Sequence, residues 1–591
     1  MLLARNHLVA VTAASTAQRW VFGIATLVVS MSYTMSLLDR GWIPHDEGQL
    51  GHTAERILNG ELPHRDFVEP YTGGLSYLHA TSFKLFGTGS RALRTTLLPF
   101  FAAFVVCTYW IANRAAPPWL AAVVTLLCVC LTLPVYPASM PSWYNLFAAI
   151  CGTAALLRYL DTGRVHWAFL AGLLAGLSIV IKITGLYFVA AALLFLVYRE
   201  QRLSIASDGS DHNATADHLT RSTCYSAITS VFLVTFGGLG FLFLRSDNPQ
   251  MDVVHFVLPF AGLAFMMIRG EWRDGRGSMT KRVTRLASSL TPFLLGTALP
   301  LVGLTAAYWQ ADALLDLYQG VIVLPGRRLS GAQMALPSLQ WLLMTAPWTA
   351  LLAVGFLPRH PFGKSLLAMV VLSLVCLFAI SHTDRGHLAI FQGLRNQLPV
   401  LLAVSLIMLT GRLGQGLSNT RRQELLLLAA VAFLISLVQF PYSGGFYFFY
   451  AAPPAVLLGL FVVRSQAHSP RAAHVACLVF VIAFLILRIH SPGPAITGGP
   501  FRPKTATSEM QLARCRLTVR ADQAYLYAEL VKAIQSHSAT NSFIFATPDC
   551  PEVYFLSGRR NPTTTTYELF DDQQQQSNAK LLATSMFRSW Y

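Results

Sequence analysis

Charged residues are scarce in this chain. Asp, Glu, Lys and Arg make up 12% of the 591 residues, whereas hydrophobic residues make up 54% and the mean hydropathy is +0.49. Soluble domains typically carry about 25% charged residues. A chain this apolar cannot cover a soluble surface, so its composition predicts a polytopic membrane protein.

Several signatures of soluble enzymes are also missing. The sequence has no Walker-type phosphate loop and no glycine-rich dinucleotide fingerprint, so cytoplasmic nucleotide chemistry is unsupported. Most of the nine cysteines lie in or beside apolar runs as small hydrophobes, without the spacing of metal ligands. Acidic residues number 28 against 44 basic ones, a net charge of +16. Basic inner loops are typical of membrane proteins, so we expect no nucleic-acid partner.

Apolar runs that can cross ~30 Å of hydrocarbon recur along the N-terminal four-fifths of the chain, 1–490. They predict an all-α polytopic membrane domain with about 13–15 transmembrane helices. The runs are 21–38, 97–112, 119–136, 145–160, 167–181, 186–198, 226–244, 252–268, 288–309, 340–357, 365–381, 397–411, 424–440, 447–463 and 473–488.

The distribution of Lys and Arg predicts the orientation of the chain, because positive loops stay on the cytoplasmic side. With the N-terminus inside, the opposite short loops hold few basic residues. That frame places loop 39–96 and the C-terminal tail outside, with run 21–38 as an uncleaved signal anchor. The inner basic residues are Arg114, Arg158, Arg164, Arg199, Arg202, Arg269, Arg273, Arg276, Lys281, Arg282, Arg285, Arg359, Lys364, Arg412, Arg421, Arg422, Arg464 and Arg471.

Asp46 and Glu47 stand side by side at the start of the long outer loop. A carboxylate pair just outside a bilayer can act as a general base or hold a divalent cation. We assign Asp46 as the base; Glu47 either orients the acceptor, binds a metal or is solvated. Carboxylates without a histidine cluster favour Mg or Mn over zinc, so any metal would be of that kind, and a metal-free reaction is equally allowed.

The outer loop contains two helical patterns. Apolar residues on one face predict a helix from Asp46 to Gly60, which ends it. A second amphipathic stretch around Tyr77 to Phe86 is expected to lie on the membrane surface. Within the loop, Arg65, Tyr71, Tyr77, Lys84 are possible sugar or acceptor contacts. Arg65 is better explained by a local ion pair with Asp66, and the tyrosines equally well as interfacial anchors.

Basic residues on the outer side are expected to bind a phosphate. Lys182 interrupts an apolar stretch, where an ionisable residue is a functional candidate, although it could also snorkel to the interface. It is the first predicted phosphate ligand. Guanidinium forks suit a phosphate or a sugar carboxylate, and the outer loops supply Arg327, Arg328, Arg385 and Arg395, with His387 beside them.

The tail 491–591 changes character and predicts a small α/β cap. Residues 521–537 have the pattern of an amphipathic helix, residues 542–547 that of a strand, and Tyr554 to Leu556 could begin another. Cys515 and Cys550 are the two cysteines of this tail, and an oxidising outer compartment would allow them to form a disulfide.

The order of several motifs resembles the GT-C glycosyltransferases, and among them the bacterial protein-mannosyltransferase-like enzymes, which include Rgt-type galacturonosyltransferases and the aminoarabinose transferase. The outer loop opens with Asp-Glu-Gly and continues with Ala-x-Arg-Ile-Leu-x-Gly, Pro-x-Arg-Asp-Phe and Phe-Lys-Leu-Phe-Gly. Further similar segments are 172–185, 292–328 and 549–563. The chain departs from the aminoarabinose branch, which has a phosphate-binding lysine where this sequence reads Glu69-Pro70-Tyr71.

The resemblance implies a GT-C-like membrane enzyme with a catalytic acid in the first outer loop. Such an enzyme moves a sugar from a polyprenyl phosphate to an acceptor hydroxyl outside the bacterial inner membrane, here expected with inversion. The acceptor stays open among protein, lipid A core, cell-wall polymer and another lipid. Two alternatives are a transporter or flippase for lipid-linked glycans, and an O-antigen-ligase-like transferase. The first predicts inverted repeats and the second a late catalytic loop.

Overall fold

A computed structural model describes residues 15–207, 216–244, 253–275, 277–327, 397–410, 416–439, 445–466, 506–547 and 549–565. Predicted spans 340–357, 365–381 and 473–488 lie outside the described residues. The same is true of Arg328, Arg385, His387 and Arg395, and of the side chain of Arg327.

The described chain is mainly helical, which confirms the predicted fold class. Its N-terminal helices are α1 (Thr16–Met35), α2 (Pro44–Leu58), α3 (Gly74–Phe86), α4 (Ser90–Thr95), α5 (Leu97–Asn113), α6 (Pro118–Cys130), α7 (Pro141–Thr162), α8 (Val165–Ile181) and α9 (Leu186–Ser207). The following helices are α10 (Ala216–Leu244), α11 (Leu258–Asp274), α12 (Met279–Gln310), α13 (Leu314–Tyr318), α14 (Leu324–Arg327), α15 (Gln397–Thr410), α16 (Asn419–Ser436) and α17 (Ala452–Gln466).

Within the described residues, five helical stretches are long and apolar enough to cross a membrane, so the protein is an integral membrane protein. They are Ser90–Asn113, Ile183–Ser204, Thr223–Leu242, Met279–Gln310 and Asn419–Gln439. Shorter apolar helices add Pro118–Cys130, Val165–Ile181, Leu314–Gly326, Leu398–Thr410 and Ala452–Ser465. The predicted span 119–136 is too long at its C-terminal end, because the helix stops at Cys130 and the prolines at 134 and 137 cannot continue it.

Small residues allow α8 and α12 to pack closely. A Cβ atom on Gly172 or Gly176 of α8 would collide with backbone carbonyls of α12, and one on Gly296 of α12 would collide with the backbone of α8. Helices in a bilayer associate through such close packing because lipid provides no hydrophobic drive. The glycines therefore fix this helix pair at short range, and α8 carries Lys182 at its end.

The charged ends of several helices meet at one end of the bundle. Arg114 contacts Asp161 at 2.6 Å and also pairs with Glu424. Arg282, in the first turns of α12, is 1% exposed. It pairs with Glu200 at 2.7 Å and with Glu271. These arginines belong to the loops predicted to be cytoplasmic. The structure thus gathers those loops together, opposite the end that holds Asp46.

The first outer loop forms the two predicted helices. Pro44 occupies the first turn of α2 and the two carboxylates follow it, a favourable arrangement at the positive end of a helix dipole. Gly60 follows the helix with a φ of 87°, a left-handed conformation that glycine adopts without strain. The hydroxyl of Tyr308 at the end of α12 donates to the carbonyl of Pro63 at 3.0 Å, which attaches the loop to the bundle.

The C-terminal segment is a small α/β unit, as predicted. Strands β1 (Thr507–Leu512) and β2 (Cys515–Arg520) form an antiparallel hairpin, followed by helices α18 (Ala521–His537) and α19 (Pro551–Ser557). Helix α18 confirms the predicted helix at 521–537. The strand predicted at 542–547 is wrong, because only Phe543 forms an isolated bridge, with Arg560. Tyr554 to Leu556 are helical in α19, so a strand there is also wrong.

Cys515 and Cys550 do not form a disulfide in the structure. The side chain of Cys515 is buried in strand β2, where its thiol interacts with Ser90 of the first outer loop. Cys550 instead precedes helix α19. The hairpin turns the thiol of Cys515 towards Ser90 of the first outer loop. The structure therefore does not contain the predicted disulfide between Cys515 and Cys550.

The C-terminal unit is joined to the first outer loop by backbone and side-chain contacts. Strand β2 exchanges hydrogen bonds with residues 39–41 at 2.7 and 2.8 Å. A Cβ on Gly51 would approach the ring of Phe555 to 2.5 Å. Phe555 is fully buried and stacks between Trp42 and Phe83, with ring centroids 6.4 and 6.2 Å away. Helix α19 therefore completes the core of the loop.

Phe555→Ala is expected to lower the free energy of unfolding of the loop and C-terminal unit by about 3–5 kcal/mol, since the ring leaves a cavity between two aromatic side chains. Thermal unfolding of the purified protein in detergent measures the change. Phe543→Ala is the matched control, because that ring is 60% exposed on the same segment. Equal losses for both variants would contradict this packing role.

Candidate active site at the outer end of the bundle

Glu47 lies in a buried ion pair rather than in solvent. Arg94 donates to its two carboxylate oxygens at 2.6 and 2.7 Å, and the backbone N–H of Ile43 donates at 3.0 Å. Glu47 is fully buried, and Arg94 is 1% exposed. The remaining donors of Arg94 bind the carbonyls of residues 38, 40 and 41. Glu47 therefore positions the segment that leads into α2.

Asp46 faces the opposite way and stays partly exposed. The phenol of Tyr136 donates a hydrogen bond to its carboxylate. Burial raises the pKa of Asp46 above its usual value, and the charge of Glu47 raises it further, while Tyr136 and Lys182 oppose that rise. A partly desolvated carboxylate with a raised pKa is a stronger base than a solvated one and is typical of catalytic sites.

Lys182 ends helix α8 beside this carboxylate. Its backbone is extended and leads into the short turn Ile183–Gly185. The ammonium donates to the hydroxyl of Ser142 at 3.0 Å and lies 5.5 Å from the ring centre of Tyr71. Its charge reaches Asp46, whose pKa it lowers. The structure thus brings Lys182, Tyr71 and Asp46, three residues singled out in the sequence, to one place.

Sequence reasoning missed Tyr136, Ser142 and Tyr450. Tyr136 fell within a predicted span, and Ser142 starts the helix after it. Tyr450 packs against Trp143 with ring centroids 4.3 Å apart and lies near enough to Asp46 to interact with its charge. The prolines at 134, 137 and 141 were the available signal, because they mark residues 131–140 as a loop rather than a span.

Glu69, which precedes Pro70 and Tyr71, is 2% exposed. Its carboxylate accepts from the hydroxyl of Ser76 at 2.6 Å and from the N–H of Tyr71 at 3.2 Å. Ser76 also lies 3.2 Å from the hydroxyl of Thr53 on α2. Glu69 thereby links α2, α3 and the turn carrying Tyr71, so that Lys182 rather than residue 69 supplies a lysine charge near Asp46.

The other residues singled out in the outer loop lie apart from Asp46. Arg65 forms the local ion pair with Asp66 at 2.8 Å, and hydrogen bonding to Arg65 lowers the pKa of Asp66. Tyr77 is 37% exposed on helix α3. Lys84 is exposed in the last turn of the same helix. The location of this helix on a membrane surface stays a prediction.

The pair Asp46 and Glu47 does not fit a divalent cation. Both oxygens of Glu47 already accept hydrogen bonds from Arg94, and the carboxylate of Asp46 accepts from Tyr136. A hard cation needs several oxygen ligands, usually with unshared carboxylates among them. Across the part of the chain that the structure describes, no group of three or more His, Cys, Asp or Glu is placed to hold a metal.

No family model matches the sequence, and no curated protein matches it. Similar solved structures exist. The Archaeoglobus fulgidus oligosaccharyltransferase in its apo form is 13% identical over 91% of this chain and 64% of its own, with a TM-score of 0.40. AglB of the same organism, with an inhibitory peptide and a dolichol-phosphate, is 14% identical over 93% of this chain and 64% of its own, with a TM-score of 0.40.

A third similar structure is ArnT from Cupriavidus metallidurans bound to undecaprenyl phosphate. It is 13% identical over 93% of this chain and 86% of its own, with a TM-score of 0.34. The chain spans less than two thirds of the length of the oligosaccharyltransferases. Similarity at this level carries no residue role from those enzymes to this one.

Glu47→Gln is expected to destabilise the outer end strongly, since it leaves the buried charge of Arg94 without its counter-charge. Breaking such a pair costs about 3–5 kcal/mol. Thermal unfolding in detergent gives the loss. Asp39→Asn is the matched control, because Asp39 pairs with an exposed Arg91 at 3.5 Å, and an exposed pair contributes about 0–1 kcal/mol. Wild-type stability of Glu47→Gln would refute the positioning role of this ion pair.

Proposed function

We propose that this protein is an integral-membrane glycosyltransferase. It transfers a sugar from a polyprenyl-phosphate donor to an acceptor hydroxyl on the outer side of the bacterial inner membrane, with inversion at the anomeric carbon. The observation that carries the proposal is the placement of Asp46, which accepts a hydrogen bond from Tyr136, within electrostatic range of Lys182, whose ammonium is held by Ser142 and Tyr71.

Asp46 supplies the base. Its raised pKa reflects burial, and the hydrogen bond from Tyr136 fixes the orientation of the carboxylate. An acceptor hydroxyl that reaches the exposed side of Asp46 gives up its proton to the free carboxylate oxygen as it attacks. A general base held in this manner contributes about 100-fold or more to the rate.

Lys182 supplies charge for the leaving group. A polyprenyl phosphate is already a good leaving group, so its departure needs electrostatic stabilisation more than protonation. The ammonium is held by Ser142 and the face of Tyr71, which orient it. We assign further phosphate contacts to Arg327, Arg328, Arg385 and Arg395 of the outer loops, and a sugar or acceptor contact to His387.

The proposed step is a single displacement. The acceptor oxygen forms a bond to the anomeric carbon as the bond from that carbon to the phosphate oxygen breaks. The electron pair leaves with the polyprenyl phosphate, and the acceptor proton goes to Asp46. The neighbouring Glu47 takes no direct part in this step, because it is engaged by Arg94.

The proposed reaction implies its partners. The membrane supplies the lipid-linked donor, and a lipid, glycan or protein supplies the hydroxyl. The N-terminus lies in the cytoplasm and the C-terminal unit in the periplasm, where it packs over the loop that carries Asp46. We propose that this unit shapes access of the acceptor rather than taking part in the chemistry.

Asp46→Asn keeps the shape of the side chain and removes the base, so we expect turnover to fall about 100-fold or more. Purified protein in liposomes with radiolabelled polyprenyl-phosphate sugars and an envelope extract measures transfer directly. The control is Asp39→Asn, an exposed acid of the same loop. Full turnover in folded Asp46→Asn would refute the base assignment, and movement of lipid-linked sugar between leaflets without transfer would favour a transporter.

The rate is expected to rise with pH, since only the deprotonated carboxylate accepts a proton. Because burial raises the pKa of Asp46, the midpoint of the rise lies above that of an ordinary aspartate. The hydrogen bond from Tyr136 lowers this pKa, so Tyr136→Phe should move the midpoint to higher pH. A pH profile of kcat/KM tests this, and a midpoint that moves to lower pH would contradict it.

A further inference from the structure

A polar cavity, separate from the site around Asp46, lies between helix α2 and the C-terminal unit. Its volume is about 210 Å³, and its walls come from α2, the end of α3 and the segments around residues 514, 541 and 558–561. A water molecule occupies about 30 Å³ in the liquid, so the cavity has room for a small-molecule group. Helix α2 rises about 1.5 Å per residue, which places Glu55 of this cavity about three helical turns away from Asp46.

Positive charge dominates the cavity. Arg56, Arg514, Arg559 and Arg560 line it, whereas the carboxylates lining it belong to Glu55 and Glu61. Both carboxylates already have partners: Arg514 pairs with Glu55, and Arg56 contacts Glu61 at 2.6 Å. Burial also raises the pKa of Glu55 to about 7, with the charge of Arg514 opposing the rise. The cavity thus retains net positive charge after its internal pairs are formed.

Donors remain available in this cavity. Within the described residues, Arg514 donates only from its Nη1 atom, to Glu55 and to the carbonyl of Phe555 at 2.9 Å. The guanidinium of Arg560 is 43% exposed and stays 3.9 Å from Glu61. By contrast, the guanidinium of Arg559 is held by Ser538 at 2.7 and 2.8 Å. Arg514 and Arg560 are therefore the guanidinium groups able to receive an anion.

His52 supplies a separate indication of a ligand. It lines the cavity and is 3% exposed, and its Nε2 atom is buried without a hydrogen-bond partner in the structure. An unsatisfied buried polar atom costs about 1–3 kcal/mol, so native proteins rarely keep one without a reason. The ring stacks on Tyr554 at 5.1 Å, which fixes its direction. A ligand in the cavity would satisfy this nitrogen.

Amide side chains complete the lining. Asn59 and Asn541 border the cavity beside the arginines, and amides both donate to and accept from sugar hydroxyls. Asn541 has a φ of 64°, a left-handed conformation that asparagine tolerates better than most residues. This backbone turn places Asn541 in the wall of the cavity.

We propose that this cavity binds a saccharide unit that carries an oxyanion, either a carboxylate or a phosphate. The oxyanion lies against Arg514 and Arg560, where guanidinium forks match its geometry. His52 contacts the same group or a neighbouring hydroxyl, and the two asparagines bind the remaining hydroxyls. The site is separate from the one at Asp46, and the inference does not depend on the proposed transfer reaction.

Titration calorimetry of the purified full chain in detergent tests the site with glucuronic acid, glucose 6-phosphate, glucose and inorganic phosphate. We expect both anionic sugars to bind at least about tenfold more tightly than glucose, as a charge-assisted hydrogen bond contributes that much. Inorganic phosphate should bind more weakly than glucose 6-phosphate. Because no turnover is needed, failure here and failure of the proposed reaction are separable.

Two variants locate the binding. Arg560→Gln removes a positive charge from the cavity, and Asn541→Asp adds a negative one. Each variant should weaken the binding of both anionic sugars about tenfold or more. Arg520→Gln is the matched control, because Arg520 is exposed on the same unit and pairs with Asp522; its affinities should match wild type. Equal affinities for glucose and the anionic sugars, or unchanged affinities in both variants, would overturn the proposal. Phosphate binding as tightly as glucose 6-phosphate would overturn its saccharide part.

Discussion

The geometry of the outer end depends on the ion pair between Arg94 and Glu47. Each of the five N–H donors of Arg94 has an acceptor, two on Glu47 and three on the carbonyls of residues 38, 40 and 41. Removing both charges from water is costly, and only such complete pairing offsets that cost. The pair fixes the turn between α1 and α2, and hence the position of Asp46 one residue away.

The other residues of the site come from segments that are far from Asp46 in the sequence. The loop after α6 brings the hydroxyl of Tyr136, and the end of α8 brings Lys182. The close packing of α8 against α12 fixes the position of Lys182 along the axis of α8. The two helices cannot shift along each other without collisions at their glycine contacts. Two adjacent acids thus have unlike roles: Glu47 is held by a charge inside the protein, and Asp46 is left partly exposed.

The C-terminal unit belongs to the same structure. Strand β2 binds the backbone just before α2, and helix α19 packs its phenylalanine into the core of the loop. The polar cavity between them exists only because both parts are present. The chain therefore presents two polar regions, one at the start of α2 around Asp46 and one near its end around Arg514, connected by a single helix.

The sequence by itself determined the class of protein, most helix positions and the importance of Asp46. These depend on local properties: apolar runs of membrane length, helical periodicity, and an acid placed just outside a span. It did not distinguish Asp46 from Glu47, find Tyr136, or predict the hairpin of the C-terminal unit. The first two outcomes were decided by partners 40 or more residues away, Arg94 for Glu47 and Tyr136 for Asp46, whereas the hairpin joins strands that are adjacent in the sequence. Only the tertiary structure selects such partners, because burial and charge pairing depend on which distant segments meet.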